Sequence, residues 1–191
     1  VGVGVGVVVL GGAAVAFGPG LYADWSNRAA AEEPTLDASS GDGATLDPAD
    51  LAGAWTVGDG SYAGYRVHEV LQGEDVTVTG RTEEVTGSCT VADGALTAAT
   101  IEVDMASVAT DEPPRDAYFR GDALEVGTYP TATFELTSPV DLPTGSGDVE
   151  LAGDLTIHGV TQAVTVEAQV GPPAGGVRVV GGGPVAVAGC G

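Results

Sequence analysis

The chain has almost no basic residues and few residues suited to catalysis or metal binding. Among its 191 residues are six Arg, no Lys, two His and two Cys, against 27 acidic residues, so the formal net charge is -21. Such a charge repels the phosphates of nucleic acids, and it disfavours docking onto anionic lipid head groups. We therefore expect no nucleic-acid partner, and any membrane attachment must come from an apolar segment.

Catalytic and metal-binding motifs are missing as well. The two cysteines, Cys89 and Cys190, do not have the spacing of a metal site. A disulfide between them stays open, and we expect Cys89 to be a small buried apolar residue. The sequence lacks the motifs of zinc proteases, dithiol oxidoreductases, serine hydrolases and phosphate-binding loops. We predict no catalytic residue, no metal and no cofactor, so the protein is not expected to be an enzyme.

The first 23 residues carry no charge and consist mainly of Val, Gly and Ala. This run is long enough to cross a bilayer as a helix, and the aromatic Tyr22 and Trp25 follow it where a membrane interface would lie. We predict an uncleaved transmembrane anchor at 1–23. A cleaved secretory signal is the alternative, since 14–16 and 29–31 offer small-residue sites. The domain would be extracytoplasmic on the cell membrane, or secreted if the segment is cleaved.

After the anchor, composition separates a tether from a single domain. Residues 24–53 are rich in Ala, Asp, Glu, Ser, Gly and Pro, which predicts a disordered acidic linker. In 54–191, short alternating runs are separated by Gly-rich or Pro-rich turns, and this is typical of an all-β sandwich or barrel. The predicted strands are 55–58, 61–71, 75–79, 84–91, 96–105, 131–137, 148–157, 160–170 and 177–187.

The clearest pattern is a hairpin over 148–170. Apolar residues alternate with polar ones on both sides of His158-Gly159, with only Gln162 and Ala163 out of place. A glycine beside a residue type that tolerates positive φ is what a tight turn accepts. His158 is either a turn residue or a ligand contact, and both interpretations stay open. The other histidine, His68, is predicted to lie on a solvated strand face.

One segment departs from the strand pattern. Acidic residues and prolines precede helix-tolerant residues, which predicts a short helix over 114–124. We expect Tyr118 and Phe119 to point toward the interior. The charged Arg115 and Arg120 form either a solvated face or a site for a polar or anionic head group, because guanidinium groups suit oxyanions.

These features together resemble the YceI-like family across about 54–188. The resemblance depends on five separated motifs in order: Trp55 with Tyr65-Arg66-Val67, the ASVAT run at 106–110, Arg115-Asp116 with Phe119-Arg120, Tyr129-Pro130 with Phe134, and the GDLTIHGVT run at 153–161. It implies an extended antiparallel lipocalin-like β-barrel with one short helix. It also implies non-catalytic binding, sequestration or transport of an isoprenoid lipid, of the isoprenoid quinone or polyprenyl phosphate type, in the barrel.

The resemblance suggests a ligand-binding set and leaves one alternative function. The alternative is a surface-anchored structural or interaction β-domain with a packed interior, and a homodimer is a further possibility. Two departures from the family matter: Ala123-Leu124 replaces an aromatic pair, and we expect the chain to be truncated at both ends, which leaves barrel closure in doubt. The expected ligand-binding residues are Tyr65, Val67, Met105, Arg115, Phe119, Arg120, Tyr129, Phe134, Leu155, Ile157 and His158.

Overall fold

The computed structural model describes Asn27 and residues 47–71, 73–171 and 178–182. These residues fall into two compact units. One contains Asn27 and the hairpin of strands β2 and β3, and the other contains an eight-stranded antiparallel sheet. The predicted anchor at 1–23 lies outside the described residues. Within the described ranges, no helix combines the length and apolar character needed to cross a bilayer.

The eight-stranded sheet has the order β1-β4-β5-β6-β8-β9-β10, and the short β7 pairs with β5. It curls into a half-barrel. A β-barrel was predicted, with its closure in doubt. Among the described residues no pairing joins β1 to β10, so the antiparallel β fold is confirmed as a half-barrel. The strands are β1 (Gly53–Thr56), β2 (Ala63–Leu71), β3 (Glu74–Thr82), β4 (Val85–Ala92), β5 (Ala95–Asp104), β6 (Thr131–Leu136), β7 (Val140–Asp141), β8 (Gly147–Ile157), β9 (Val160–Gly171) and β10 (Arg178–Gly182).

The flexible linker was predicted to extend to residue 53, but ordered structure already begins at Pro48. A 3₁₀ turn forms at Pro48–Leu51, where Asp47 accepts a hydrogen bond from the Ala49 amide at 2.9 Å. Leu51 is buried against Trp55 and Val91, and its carbonyl accepts a 2.8 Å bond from the indole N–H of Trp55. A single buried Leu in a polar segment produces no periodic pattern in the sequence. The composition of the segment therefore led to its prediction as linker.

The β8–β9 hairpin is confirmed in register and in turn type. Its strands pair from Gly147↔Val170 to Ile157↔Val160. His158 and Gly159 have φ values of 51° and 71°, as a two-residue turn with both central residues left-handed requires. His158 is therefore a turn residue, whatever else its side chain does.

The crossover from β5 to β6 contains the predicted helix in a shorter form. Helix α1 covers Pro113–Tyr118, and a π-helical turn follows at Phe119–Ala123. The expectation that Tyr118 points inward is wrong, since Tyr118 is 62% exposed. A six-residue helix is too short for a 3.6-residue period to identify its buried face. Phe119 is half-buried.

Among the residues that the structure describes, packing is tight only at the two ends of the sheet. At the end where β5 begins, Leu51 and Val91 form one cluster, and Val149, Ala168 and Val170 form another. At the opposite end, called here the helix end, the buried residues come from the crossover and the strands that flank it: Met105, Val108, Leu124, Val126 and Ala132. The middle of the sheet has no comparable buried set among the described residues.

In the smaller unit, β2 and β3 pair as a two-stranded sheet. Val76 and Val78 are 1% and 2% exposed and pack with Tyr65. Asn27 contacts the edge of β3, where its side-chain amide donates to the Asp75 carbonyl at 2.9 Å and accepts from the Thr77 amide at 2.7 Å. These two bonds occupy backbone groups that an edge strand otherwise leaves unpaired.

Candidate ligand-binding site

The candidate site is a row of side chains across the inner face of the half-barrel. The strand registers place Gly87 beside Ile101, Ile101 beside Phe134, Phe134 beside Leu155, and Leu155 beside Gln162. All five residues are half-buried. Cross-strand neighbours share one face of a sheet, so the row is continuous. We call this the apolar face.

The rest of the apolar face is also hydrophobic. Val103 and Ala132 lie next to the row toward the helix end, and Val164 lies beside Gly153. On the opposite face of the same strands stand Thr and acidic residues such as Glu102, Glu135 and Glu150. Alternation along each strand separates the two sets. The negative charge of the sheet therefore lies outside, and its apolar side chains line the inside.

Glycines at two positions let large side chains lie along the sheet. A Cβ added at Gly153 would collide with the Phe134 ring and would lie 2.6 Å from the Glu135 carbonyl oxygen. A Cβ added at Gly87 would collide with the Thr100 carbonyl oxygen and would lie 2.9 Å from Ile101 Cδ1. Because the backbone oxygens of the neighbouring strand cannot move away as a flexible side chain can, these two positions accept only glycine. Phe134 and Ile101 thus cover the neighbouring strand and present a smooth hydrocarbon surface.

Cys89 lies on the same face, beside Trp55 on β1. The expectation that it is buried is wrong: the residue is half-buried, and no described residue forms a buried cluster over the middle of the apolar face as happens at the sheet ends. Partial burial still raises the pKa of the Cys89 thiol, since desolvation disfavours the thiolate. Cys89 is a free thiol in the structure.

At the helix end, Asp116 links helix α1 to the segment of the crossover that precedes it. Its carboxylate accepts from the Thr110 amide at 2.9 Å and from the Thr110 hydroxyl at 2.8 Å. Asp116 is 7% exposed. A buried carboxylate is tolerated when it accepts such bonds. These two hydrogen bonds hold residues 106–110 in place relative to α1.

The two arginines of the helix have partners within the crossover. Arg120 donates to the carbonyls of Ala106 and Val108 at 3.3 and 3.2 Å. Arg115 contacts the Asp111 carboxylate at 3.3 Å. Of the two interpretations of these arginines, the contacts favour a structural role over a site for an anionic head group.

His158 joins the hairpin turn to the segment after the helix. Its Nε2 lies 3.0 Å from a Glu125 carboxylate oxygen, and its ring meets Tyr129 edge-on with centroids 4.8 Å apart. The Tyr129 ring also lies against Gly159, where a Cβ would come within 2.5 Å of it. Glu125 has a φ of 43°, so two left-handed non-glycine residues face each other here. We call Glu125, Tyr129, His158 and Gly159 the clasp.

The expected ligand-binding residues thus fall into three groups. Phe134, Leu155 and Ile157 lie half-buried on the apolar face. Others belong to the helix end, where Met105 is buried and five residues are half-buried: Arg115, Phe119, Arg120, Tyr129 and His158. The smaller unit contains Tyr65, half-buried, and Val67, 40% exposed. His68 is exposed as predicted, and its ring bonds the Thr77 hydroxyl at 3.2 Å.

The sequence argument missed several residues of the apolar face. Ile101 and Val164 carry no individual signal, because alternation marks every strand residue of that parity equally. Gln162 did carry one, as a polar residue on an apolar parity. In the described part of the chain, no group of three or more His, Cys, Asp or Glu is placed to hold a metal ion.

A curled antiparallel sheet with one short helix is typical of a lipocalin-like fold. The match to known proteins is more specific, because the model of the YceI-like domain fits residues 56–188. The chain belongs to the YceI-like family.

Relatives match over limited stretches. A UPF0312 protein of Vibrio parahaemolyticus is 42% identical over 70 residues, or 36% of each chain. A UPF0312 protein of Pseudomonas paraeruginosa is 37% identical over 83 residues, 41% of this chain and 42% of that protein. The alignments therefore span well under half of these relatives.

Two solved structures are similar at low identity. Burkholderia cenocepacia BcnA has a TM-score of 0.48 and 22% identity, covering 66% of this chain and 72% of BcnA. A polyisoprenoid binding domain from Saccharophagus degradans has a TM-score of 0.43 and 21% identity, covering 65% and 66%.

Proposed function

We propose that this protein binds an isoprenoid lipid on its apolar face and sequesters or carries it without covalent chemistry. The observation that carries the proposal is the half-buried row from Gly87 to Gln162, which lies between two tightly packed ends of the sheet. Membership of the YceI-like family supports the same class of ligand.

The energetics of this face suit a long hydrocarbon. Each buried carbon of an isoprenoid contributes about 0.8 kcal/mol before the cost of ordering the chain. Smooth apolar surface gives affinity in proportion to area and demands no particular hydrogen bond along the chain. A scaffold domain, in contrast, would fill this face with its own side chains, as both ends of the sheet do.

We further propose that residues 1–23 hold the domain on the extracytoplasmic side of the cell membrane. The support is compositional, from the uncharged apolar run followed by Tyr22 and Trp25. A carrier tethered beside the bilayer would work at a high effective concentration of its lipid source. Labelling with a membrane-impermeant thiol reagent in whole cells tests this orientation at Cys89. Labelling only after the cells are permeabilised would contradict it, provided that Cys89 reacts in the purified protein.

The binding proposal is tested by extracting the purified full chain with organic solvent and identifying prenyl lipids by mass spectrometry. The variant Val164→Trp fills the middle of the apolar face, while Thr165→Trp places the same ring on the exposed outer face one residue away. Displacing only two buried carbons costs about 1.6 kcal/mol, and about 1.4 kcal/mol is tenfold in affinity. We therefore expect at least about tenfold less lipid with Val164→Trp and no change with Thr165→Trp.

Both variants must first show wild-type circular dichroism. If the wild-type chain yields no prenyl lipid and takes none up from vesicles, the proposal fails and the scaffold alternative gains. Equal lipid in the two variants would show that binding occurs elsewhere.

A further inference from the structure

Asn27 attaches the early part of the chain to one edge of the β2–β3 hairpin, and both belong to the same compact unit. Its side-chain amide donates to the Asp75 carbonyl at 2.9 Å and accepts from the Thr77 amide at 2.7 Å. The amide thus takes one acceptor and one donor of β3, as a neighbouring strand would. Val76, between the two bonded residues, is 1% exposed, so this part of β3 is packed within the unit. We call these two bonds the edge contact.

The edge contact limits how far the hairpin can lie from the proposed anchor. The anchor ends at residue 23, four residues before Asn27. An extended chain advances at most about 3.6 Å per residue, so these residues span no more than about 14 Å. The bonded edge of β3 therefore lies within about half the thickness of a bilayer's hydrocarbon core, about 30 Å, from the end of the anchor.

The charges beside the edge contact indicate which kind of bilayer surface suits it. Glu74 and Asp75 are exposed at this end of β3. Anionic head groups repel carboxylates, whereas zwitterionic head groups carry no net charge. The formal net charge of -21 for the whole chain has the same effect. A zwitterionic surface is thus the partner that the hairpin can approach without electrostatic cost.

We infer that the β2–β3 hairpin contacts the surface of a zwitterionic bilayer and that Asn27 is the residue that positions it there. The inference rests on the anchor proposed above and names the part of the fold that meets the membrane. Without the edge contact, only the predicted linker would join the anchor to the structure that begins at residue 47. A flexible chain of that length has an average end-to-end distance of about 25 Å, so the hairpin would lie farther from the bilayer.

The test measures the proximity of the hairpin to lipid head groups with a fluorescent label. Cys89→Ser and Cys190→Ser remove the native thiols, and Asp75→Cys introduces a thiol at the edge contact while keeping the carbonyl that Asn27 bonds. The labelled full chain is reconstituted into phosphatidylcholine vesicles, in which a fraction of the lipid carries a nitroxide on its head group. We expect the nitroxide lipid to lower the fluorescence at least twofold relative to plain vesicles.

The variant Asn27→Ala should remove at least half of this quenching. Loss of two hydrogen bonds lowers the population held at the edge of β3 by at least about tenfold. The matched variant is Asn27→Asp, which keeps an acceptor for the Thr77 amide and loses only the donor. It should retain more of the quenching than Asn27→Ala does, and both variants should keep the wild-type circular dichroism.

The possible failures are distinguishable. A chain that sediments with the vesicles but shows no quenching overturns the inference and leaves the anchor proposal intact. Equal quenching in the wild type and in Asn27→Ala also overturns it, because the hairpin would then be held at the surface without the edge contact. A chain that does not sediment with the vesicles overturns the anchor proposal and the inference together. Lipid binding on the apolar face has its own test above and is affected by none of these results.

Discussion

Replacing Asp116 by Ala tests whether the motif residues of the crossover stabilise the fold or serve the ligand. The change removes both hydrogen bonds to Thr110, at 2.9 and 2.8 Å. Each bond to a buried carboxylate contributes about 1.5 kcal/mol. Because Thr110 is half-buried, water recovers part of this, and we expect a loss of about 2 kcal/mol in the free energy of unfolding.

The assay is urea denaturation of the full chain in detergent, followed by tryptophan fluorescence. Asp116→Asn keeps an acceptor oxygen in place and should lose about 1 kcal/mol, since only the charge assistance disappears. The matched control is Asp122→Ala, an exposed acidic residue on the adjoining π-helical turn. A surface change of this kind should stay within about 0.5 kcal/mol.

A double-mutant cycle isolates the contact itself. Thr110→Val deletes the hydroxyl, so its effect should shrink by about 1 kcal/mol when Asp116 is already Ala. A coupling energy of zero would refute the reasoning, as would equal losses in Asp116→Ala and Asp122→Ala. A variant of unchanged stability that no longer retained lipid would place Asp116 in the binding machinery instead.

Three further predictions concern the clasp and the thiol. Gly159→Ala should lower the free energy of unfolding by about 2 kcal/mol, because φ is 71° and the new Cβ meets the Tyr129 ring; equal denaturation midpoints would contradict this. Glu125→Gly should raise stability by about 0.5 kcal/mol, since relief of the left-handed strain exceeds the value of an exposed pair with His158; a loss in thermal unfolding would contradict it. Because burial raises the pKa of the Cys89 thiol, its alkylation in a pH series should be half-maximal above the midpoint of the urea-unfolded chain. The raised pKa of Cys89 also makes the free energy of unfolding depend on pH. Its contribution is fully present below the pKa of the thiol in the unfolded chain and is lost as pH rises through the pKa in the folded chain. Equal alkylation midpoints in the folded and unfolded chains would exclude both the raised pKa and this pH dependence.

Local patterns explain why the strands and the hairpin were predictable. Alternation, turn residues and Pro-rich helix starts act over a few neighbouring residues, and the β8–β9 register follows from them directly. The sheet order, the lack of pairing between β1 and β10, and the split into two units depend on contacts that no local pattern encodes. The half-burial of Cys89 is of this kind, because parity indicates which face a residue occupies but not what covers that face.

The sequence could not predict the roles of the polar motif residues either. Arg120 bonds two carbonyls, and a backbone acceptor leaves no trace in residue type. His158 and Glu125 are 33 positions apart, so their contact follows only from the fold. A sequence in which Arg and His lie beside aromatics is compatible with a head-group site and with a structural clasp, and the contacts favour the clasp.

These placements separate the residues that carry the family resemblance from the surface proposed to bind a lipid. Asp116, Arg120, Tyr129 and His158 belong to the motifs that carry the YceI-like resemblance, and all four make contacts that hold the helix end of the sheet together. The middle of the apolar face is formed by other residues, among them Val164 beside Gly153. Val164→Trp should therefore lower lipid retention while the contacts of the clasp stay in place, whereas Gly159→Ala should lower stability without filling the apolar face. A Gly159→Ala variant that kept wild-type stability and lost its lipid would instead place the clasp in the binding site.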